Sequence, residues 1–179
     1  MQEQLSYSIW LVPPEGEIRV ELMSTIRSLA ARWGGPVFLP HVSLVGGVTG
    51  DQLEYRAKFS KVARQIGPIR VSLTGCQQSS HFFRSLYLKV AETSELIFAR
   101  DIGSKIFGSL DEPFVPHLSL FYGVKEQSEK AAAINEGKFP LCSFDVDELF
   151  LVQNDEHSLK WHVIEQSPIG NTDLKARIV

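Results

Sequence analysis

The chain says one phrase twice. Phe38-Leu39-Pro40-His41-Val42-Ser43-Leu44 returns as Phe114-Val115-Pro116-His117-Leu118-Ser119-Leu120. Five of the seven positions are identical, and the other two exchange Leu and Val. The two histidines stand 76 positions apart in a chain of 179 residues. Two copies at that spacing imply a duplicated half, because a solenoid needs at least about three repeats to bury a continuous core. Side chains alternate faces along a strand. Each copy, taken as a strand, puts His and Ser on one face and two aliphatic residues on the other. The Pro before each His suits a strand start, where a missing N–H costs little. Two such strands side by side line one groove with two imidazoles and two hydroxyls.

The rest of the chain fits around these strands. Residues 5–12 alternate as a strand that Pro13-Pro14 ends. Residues 16–33 place Ile18, Val20, Leu22, Ile26, Leu29 and Trp33 at helical spacing before Gly34-Gly35. The first motif strand is expected at 36–45, closed by Gly46-Gly47. A helix is expected over 51–66, then a hairpin of strands at 69–76 and 82–91. The second half predicts a helix over 93–107, the second motif strand at 114–122, a helix over 125–134, and long strands at 141–153 and 158–166. Residues 170–179 read as a loose tail. The order is β-α-β-α-β-β-α-β-α-β-β. The expected class is α+β: a duplicated bilobal fold with mixed, largely antiparallel sheets lining a central cleft and helices outside. Residues 1–179 form one bilobal domain, since no linker or low-complexity segment divides them.

Composition narrows the function. With 44% hydrophobic and 22% charged residues, the balance is that of an ordinary globular protein. The net charge is −3 and no basic block exists, which argues against a duplex nucleic-acid partner. No signal segment or apolar run near 20 residues appears, so no membrane partner and a cytoplasmic location are expected. Cys76 and Cys142 read as reduced, half-buried thiols. A monomer acting on a small molecule is the simplest expectation.

Two histidines in matched contexts divide acid–base work. One takes a proton from an attacking oxygen while the other gives one to a leaving oxygen. That suits in-line displacement at phosphorus. Ser43 and Ser119, two residues on, can donate to the non-bridging oxygens, where charge grows in the transition state. No metal or other cofactor is required. Two other readings compete. The His/Ser pairs could be structural, each satisfying the other copy inside the core. A zinc site would need further ligands, and neither motif has a Cys or carboxylate at ligand spacing. Neither motif has a Gly-x-Ser-x-Gly context, which argues against an acyl hydrolase.

Paired His-x-Ser-hydrophobic motifs, one per half of a chain of this length, resemble the two-histidine (2H) phosphoesterases. His41-Val42-Ser43-Leu44 and His117-Leu118-Ser119-Leu120-Phe121-Tyr122 are most similar to the plant-type cyclic nucleotide phosphodiesterases. Ser8-Ile9-Trp10-Leu11-Val12-Pro13-Pro14 and Leu159-Lys160-Trp161 are similar too, and the likeness spans about residues 5–166. The resemblance implies a bilobal fold with a central cleft. It implies metal-independent hydrolysis of cyclic phosphodiesters to phosphomonoesters. The implied substrates are ADP-ribose 1″,2″-cyclic phosphate, a by-product of tRNA splicing, and nucleoside 2′,3′-cyclic phosphates. His41 and His117 are then the acid and base, and Ser43 and Ser119 hold the phosphate. Near-symmetry leaves the assignment open, with a preference for His41 as acid and His117 as base. Many members have Thr in the first motif; Ser43 keeps the donor.

Tyr122 is expected at the groove edge with its hydroxyl in reach of phosphate or ribose. Trp10 is expected to stack on a base. Arg84 reads as a solvated arginine, with a distal phosphate as its functional alternative. His81 and His157 read as exposed turn residues, and His162 as a structural hydrogen-bonder. Two other functions stay open: an RNA-end-processing enzyme (2′,5′ ligation or trimming), which needs a basic track, and a non-catalytic module binding AMP-like ligands.

Overall fold

Alternating apolar residues build the sheet. Its strands are β1 (Ser6–Leu11), β2 (Val42–Thr49), β3 (Ile69–Gln78), β4 (Leu86–Val90), β5 (His117–Phe121), β6 (Ser143–Val146), β7 (Glu148–Asp155) and β8 (Lys160–Pro168). They form one eight-stranded sheet in the order β6-β3-β4-β5-β2-β1-β7-β8. Every pairing among the described strands is antiparallel. The computed structural model describes residues 6–109, 113–155 and 158–170. Residues 110–112, between the helix expected at 93–107 and the strand expected at 114–122, His157 and the tail beyond 170 lie outside the described residues.

The strand order is balanced about its centre. β1 and β4 flank the β2–β5 pair, then β7 and β3, with β8 and β6 at the edges. The central pair itself is short, with Val42 opposite Leu118 as its register. β6 and β7 stand six places apart in the order, yet only Asp147 separates them in sequence. Consecutive Cα atoms are about 3.8 Å apart, so the sheet curls until its flanks approach.

Among the described residues, four helices cover the sheet: α1 (Glu17–Trp33), α2 (Gln52–Gln65), α3 (Ser94–Phe107) and α4 (Gln127–Glu136). The sequence signals at their ends are used. Asp51 caps α2, its carboxylate accepting from the Leu53 and Glu54 N–H groups. Thr93 caps α3, and Gly34 ends α1 in the left-handed region at φ 77°. Leu22, Ile26, Leu29, Ala30 and Trp33 bury the inner stripe of α1. Each fully buried aliphatic side chain contributes about 1.5–3 kcal/mol. Val20, expected in that stripe, is 69% exposed. Trp33 meets Phe121 of β5 edge-on at 5.0 Å, which docks α1 on the second motif strand.

The structure corrects several boundaries. The strand expected at 36–45 starts only at Val42. Pro36 and Pro40 have no N–H for a ladder. It then runs through Gly46-Gly47, because Tyr7 pairs with Val48 and Ser6 with Thr49. The strand expected at 82–91 opens as a 3₁₀ turn, Phe82–Arg84, and pairs only from Leu86. The strand expected at 141–153 is two, broken at Asp147 where the chain passes from β3 to β1. Cys76 and Cys142 are both free thiols of intermediate burial. Burial pushes the Cys76 thiol up to about 12. No helix among the described residues is long and apolar enough to cross a membrane.

Candidate active site

The site begins with a proline. Pro40 and Pro116 have no N–H for a ladder; β5 begins at the histidine that follows, and β2 one residue later, at Val42. Each histidine then bends back on its own chain. His41 Nδ1 lies 2.6 Å from the Leu39 carbonyl, and His117 Nδ1 lies 2.7 Å from the Val115 carbonyl. A carbonyl only accepts, so both Nδ1 atoms carry the proton. The neutral rings therefore carry their lone pairs on Nε2, where the Tyr122 hydroxyl meets that of His41. One repeated phrase has produced one repeated tautomer.

His41, Ser43, His117, Ser119 and Tyr122 all line one cleft of about 580 Å³. Their strand neighbours Val42, Leu44, Leu118 and Leu120 are at most 1% exposed and lie in the core. The period-two reading thus separates a core face from a working face.

The two halves differ in their surroundings. His41 is 5% exposed and stacks on Trp10 with centroids 3.5 Å apart and planes 6° from parallel. Burial pulls its pKa down to about 3; the Leu39 bond opposes this and the charge of His117 adds to it. His117 is half-buried and meets Tyr87 edge-on at 5.5 Å. Its pKa is also lowered, by burial first, against the Val115 bond, with a further push from the Arg84 charge. The Tyr122 hydroxyl sits 3.4 Å from His41 Nε2. Burial holds that phenol well above its usual range, although a bond with Ser119 works the other way. Tyr122 therefore stays a neutral donor across the physiological range and joins the second motif to the first histidine.

The serines are not equivalent. Ser43 has no side-chain hydrogen bond among the described residues, so its proton is available to a ligand. Ser119 Oγ donates to the Phe83 carbonyl at 2.8 Å. Ser119 can donate to a phosphate only by leaving that carbonyl. Trp10 does not offer the base-stacking face expected of it. The residue is 3% exposed and its ring lies against His41. Its place in the site is under the imidazole.

Other residues complete the walls. Trp161 lines the cleft and meets Tyr122 at 5.5 Å, while Phe38 stacks on Tyr122 at 3.8 Å from the core behind it. Phe38 is the first residue of the repeated phrase, so the repeat itself pointed to it. Its counterpart Phe114 lies under the Arg100 guanidinium at 5.4 Å. Arg100 donates to the Leu44 and Ser109 carbonyls and so ties α3 to the end of the cleft. Asn154 on β7 donates to Ser6 and Ser8 on β1, and no local motif marked it. Arg84 lines the cleft, half-buried and not fully solvated. His81 and His162 are exposed and outside it. Among the described residues, no group of three or more His, Cys, Asp or Glu is placed to hold a metal ion.

Known proteins resemble this chain in sequence and in fold. A relative from Arabidopsis thaliana named cyclic phosphodiesterase is 26% identical over 156 residues, covering 83% of this chain and 85% of that protein. The solved structure of E. coli LigT complexed with 3′-AMP superposes with a TM-score of 0.61 at 15% identity, covering 94% of this chain and all of the other. The protein TT0787 of Thermus thermophilus gives a TM-score of 0.64 at 18% identity, covering 93% of this chain and 99% of the other. The two solved structures establish the fold. The family description that matches residues 13–158, most of the chain and both His-x-Ser motifs, is that of the 2′-5′ RNA ligase superfamily. By that match and by its paired motifs, this chain belongs to the 2′-5′ RNA ligase superfamily of two-histidine phosphoesterases.

Proposed function

We propose that the protein hydrolyses cyclic phosphodiesters to phosphomonoesters, using His41 and His117 as base and acid without a metal. The observation that carries this is the pair of Nδ1-anchored imidazoles lining one cleft. The base removes a proton from water as its oxygen attacks phosphorus. The P–O bond to the ribose oxygen breaks, and the acid supplies a proton to that oxygen. Solvent then returns both rings to their starting states.

Burial favours His41 as base, reversing the preference read from sequence. Burial keeps the His41 ring unprotonated at pH 7, the starting state of a base, and an anionic phosphate beside it would raise its affinity for the proton to be taken. His117, less buried, is the better carrier of a proton once an anionic phosphate lies beside it. Ser43 and the Tyr122 hydroxyl are donors for the non-bridging oxygens, and Ser119 joins them on leaving Phe83.

ADP-ribose 1″,2″-cyclic phosphate and nucleoside 2′,3′-cyclic phosphates are the proposed substrates. The Arabidopsis relative's name supports this class. LigT was crystallised with 3′-AMP, a phosphomonoester of the kind this reaction yields. Such small substrates suit a monomer in the cytoplasm. The test is phosphorus NMR with EDTA present, using both kinds of cyclic phosphate. Opening to a phosphomonoester is expected, with loss of about 10²–10⁴ in rate for His41→Ala or His117→Ala. Failure on both substrates, with turnover of an oligonucleotide end, would assign the chain to RNA-end processing instead.

A further inference from the structure

The 3₁₀ turn between β3 and β4 carries a cation that the two-histidine chemistry does not use. Arg84 lines the cleft beside His117, and its guanidinium leans over the Tyr87 ring at 5.7 Å. Its Nε is buried and has no hydrogen-bond partner among the described residues. No carboxylate among the described residues pairs with it. Arg100, the other arginine of the cleft, is committed to the Leu44 and Ser109 carbonyls. A half-buried guanidinium without a carboxylate is costly unless something anionic meets it. Its fork of donors fits a phosphate, with charge-assisted bonds about twice as strong as neutral ones.

The turn is also held rigidly. Ser119 Oγ donates to the Phe83 carbonyl, the Gly123 N–H donates to the Phe82 carbonyl, and Lys130 Nζ donates to the Ser79 carbonyl at 2.6 Å. Ser79 Oγ closes it by donating to the Arg84 carbonyl. The Gly123, Lys130 and Ser79 bonds do not involve the groups that meet the reacting phosphate, and they fix the backbone of Arg84 before any ligand arrives, so little ordering cost falls on binding.

In the reading above, the reacting phosphate already has its own partners in the two imidazoles, the Ser43 hydroxyl and the Tyr122 hydroxyl. We propose that Arg84 reads a second anionic group of the substrate, so that cyclic phosphates bearing a further phosphate are opened in preference to those with none. This rests on the cyclic phosphodiesterase reading above and adds a specificity-determining residue to it. The substrate class it selects is a cyclic phosphate joined to a mono- or diphosphate through the rest of the nucleotide.

The test compares wild type with Arg84→Met, which keeps an apolar stem over Tyr87, and Arg84→Lys, which keeps a charge. The substrates are 2′,3′-cyclic AMP and its 5′-phosphorylated form. The ratio of kcat/KM values, second substrate over first, is expected to fall about ten- to hundredfold in Arg84→Met. Arg84→Lys is expected to recover part of it, and added salt to compress the wild-type ratio. An unchanged ratio overturns the proposal, whether both substrates suffer equally or neither does. Calorimetry with AMP and ADP decides the case in which the wild type opens neither substrate. Tighter ADP binding that Arg84→Met abolishes keeps the proposal while the hydrolytic reading falls. Equal wild-type affinities for AMP and ADP overturn it.

Discussion

Replacing His41 by Asn should make the protein less sensitive to acid. Asn places an N–H donor near the position of Nδ1, so the bond to the Leu39 carbonyl can be kept. What it removes is a buried base. Histidine in an unfolded chain titrates near 6.5, whereas His41 is held at about 3 by burial under Trp10. Above pH 6.5 the ring is neutral in both states and has no effect. As pH falls below 6.5, the unfolded chain takes up a proton that the folded chain refuses. Stability then drops by about 1.4 kcal/mol per pH unit until about pH 3, where the folded ring also protonates. From pH 7 to pH 5 the loss is about 2 kcal/mol. That figure barely depends on the folded value, provided it lies well below 5. Urea unfolding at the two pH values, for wild type and His41→Asn, measures it. The wild type should lose about 2 kcal/mol more than the variant over this interval. His117 and the remaining groups titrate in both proteins and cancel to first order. A difference below about 0.5 kcal/mol, or a His41 ring proton titrating near 6.5 by NMR, would refute the argument.

Tyr122→Phe keeps the Phe38 stack and removes the hydroxyl beside His41; steady-state assays should show kcat reduced about tenfold, with the unfolding free energy within about 1 kcal/mol of wild type. Ser43→Ala should cost activity and leave denaturant stability almost unchanged, whereas Ser119→Ala should cost both, with about 1–3 kcal/mol lost because the Phe83 carbonyl is orphaned. Gly35→Ala should destabilise by about 1–3 kcal/mol in thermal unfolding, because a Cβ there would sit 2.5 Å from a Phe121 ring carbon and 2.8 Å from the Tyr122 carbonyl.

The sequence carried the site's plan because the plan is periodic. A repeated Pro-His-x-Ser leads into a strand from its proline, and both copies do so, with His117 opening β5 and His41 just ahead of β2. Asp51, Thr93 and Gly34 likewise mark helix ends through purely local bonds. What escaped was set by contacts between distant segments. Trp10 alternates correctly onto the cleft face, but only the pairing of Trp10 with Ser43 brings its ring over His41. Asn154 faces Ser6 and Ser8 from 146 or more positions away. The break at Asp147 shows in the sequence only as a lapse of alternation at Asp147-Glu148, and the curl of the sheet divides the run in two there. The inequality of Ser43 and Ser119 follows from a turn that reaches back with a carbonyl on one side alone.

At the centre of the sheet, Val42 opposite Leu118 is the register that joins the two motif strands. So short a ladder fixes the separation of the imidazoles weakly. On the far face, Trp33 meets Phe121 edge-on and Gly35 passes it too closely to leave room for a Cβ. The reaction distance is thus adjustable from behind: a methylene gained or lost in that packing would retune catalysis without altering one group that touches substrate. Variation in catalytic rate among such enzymes need not be sought in the cleft at all.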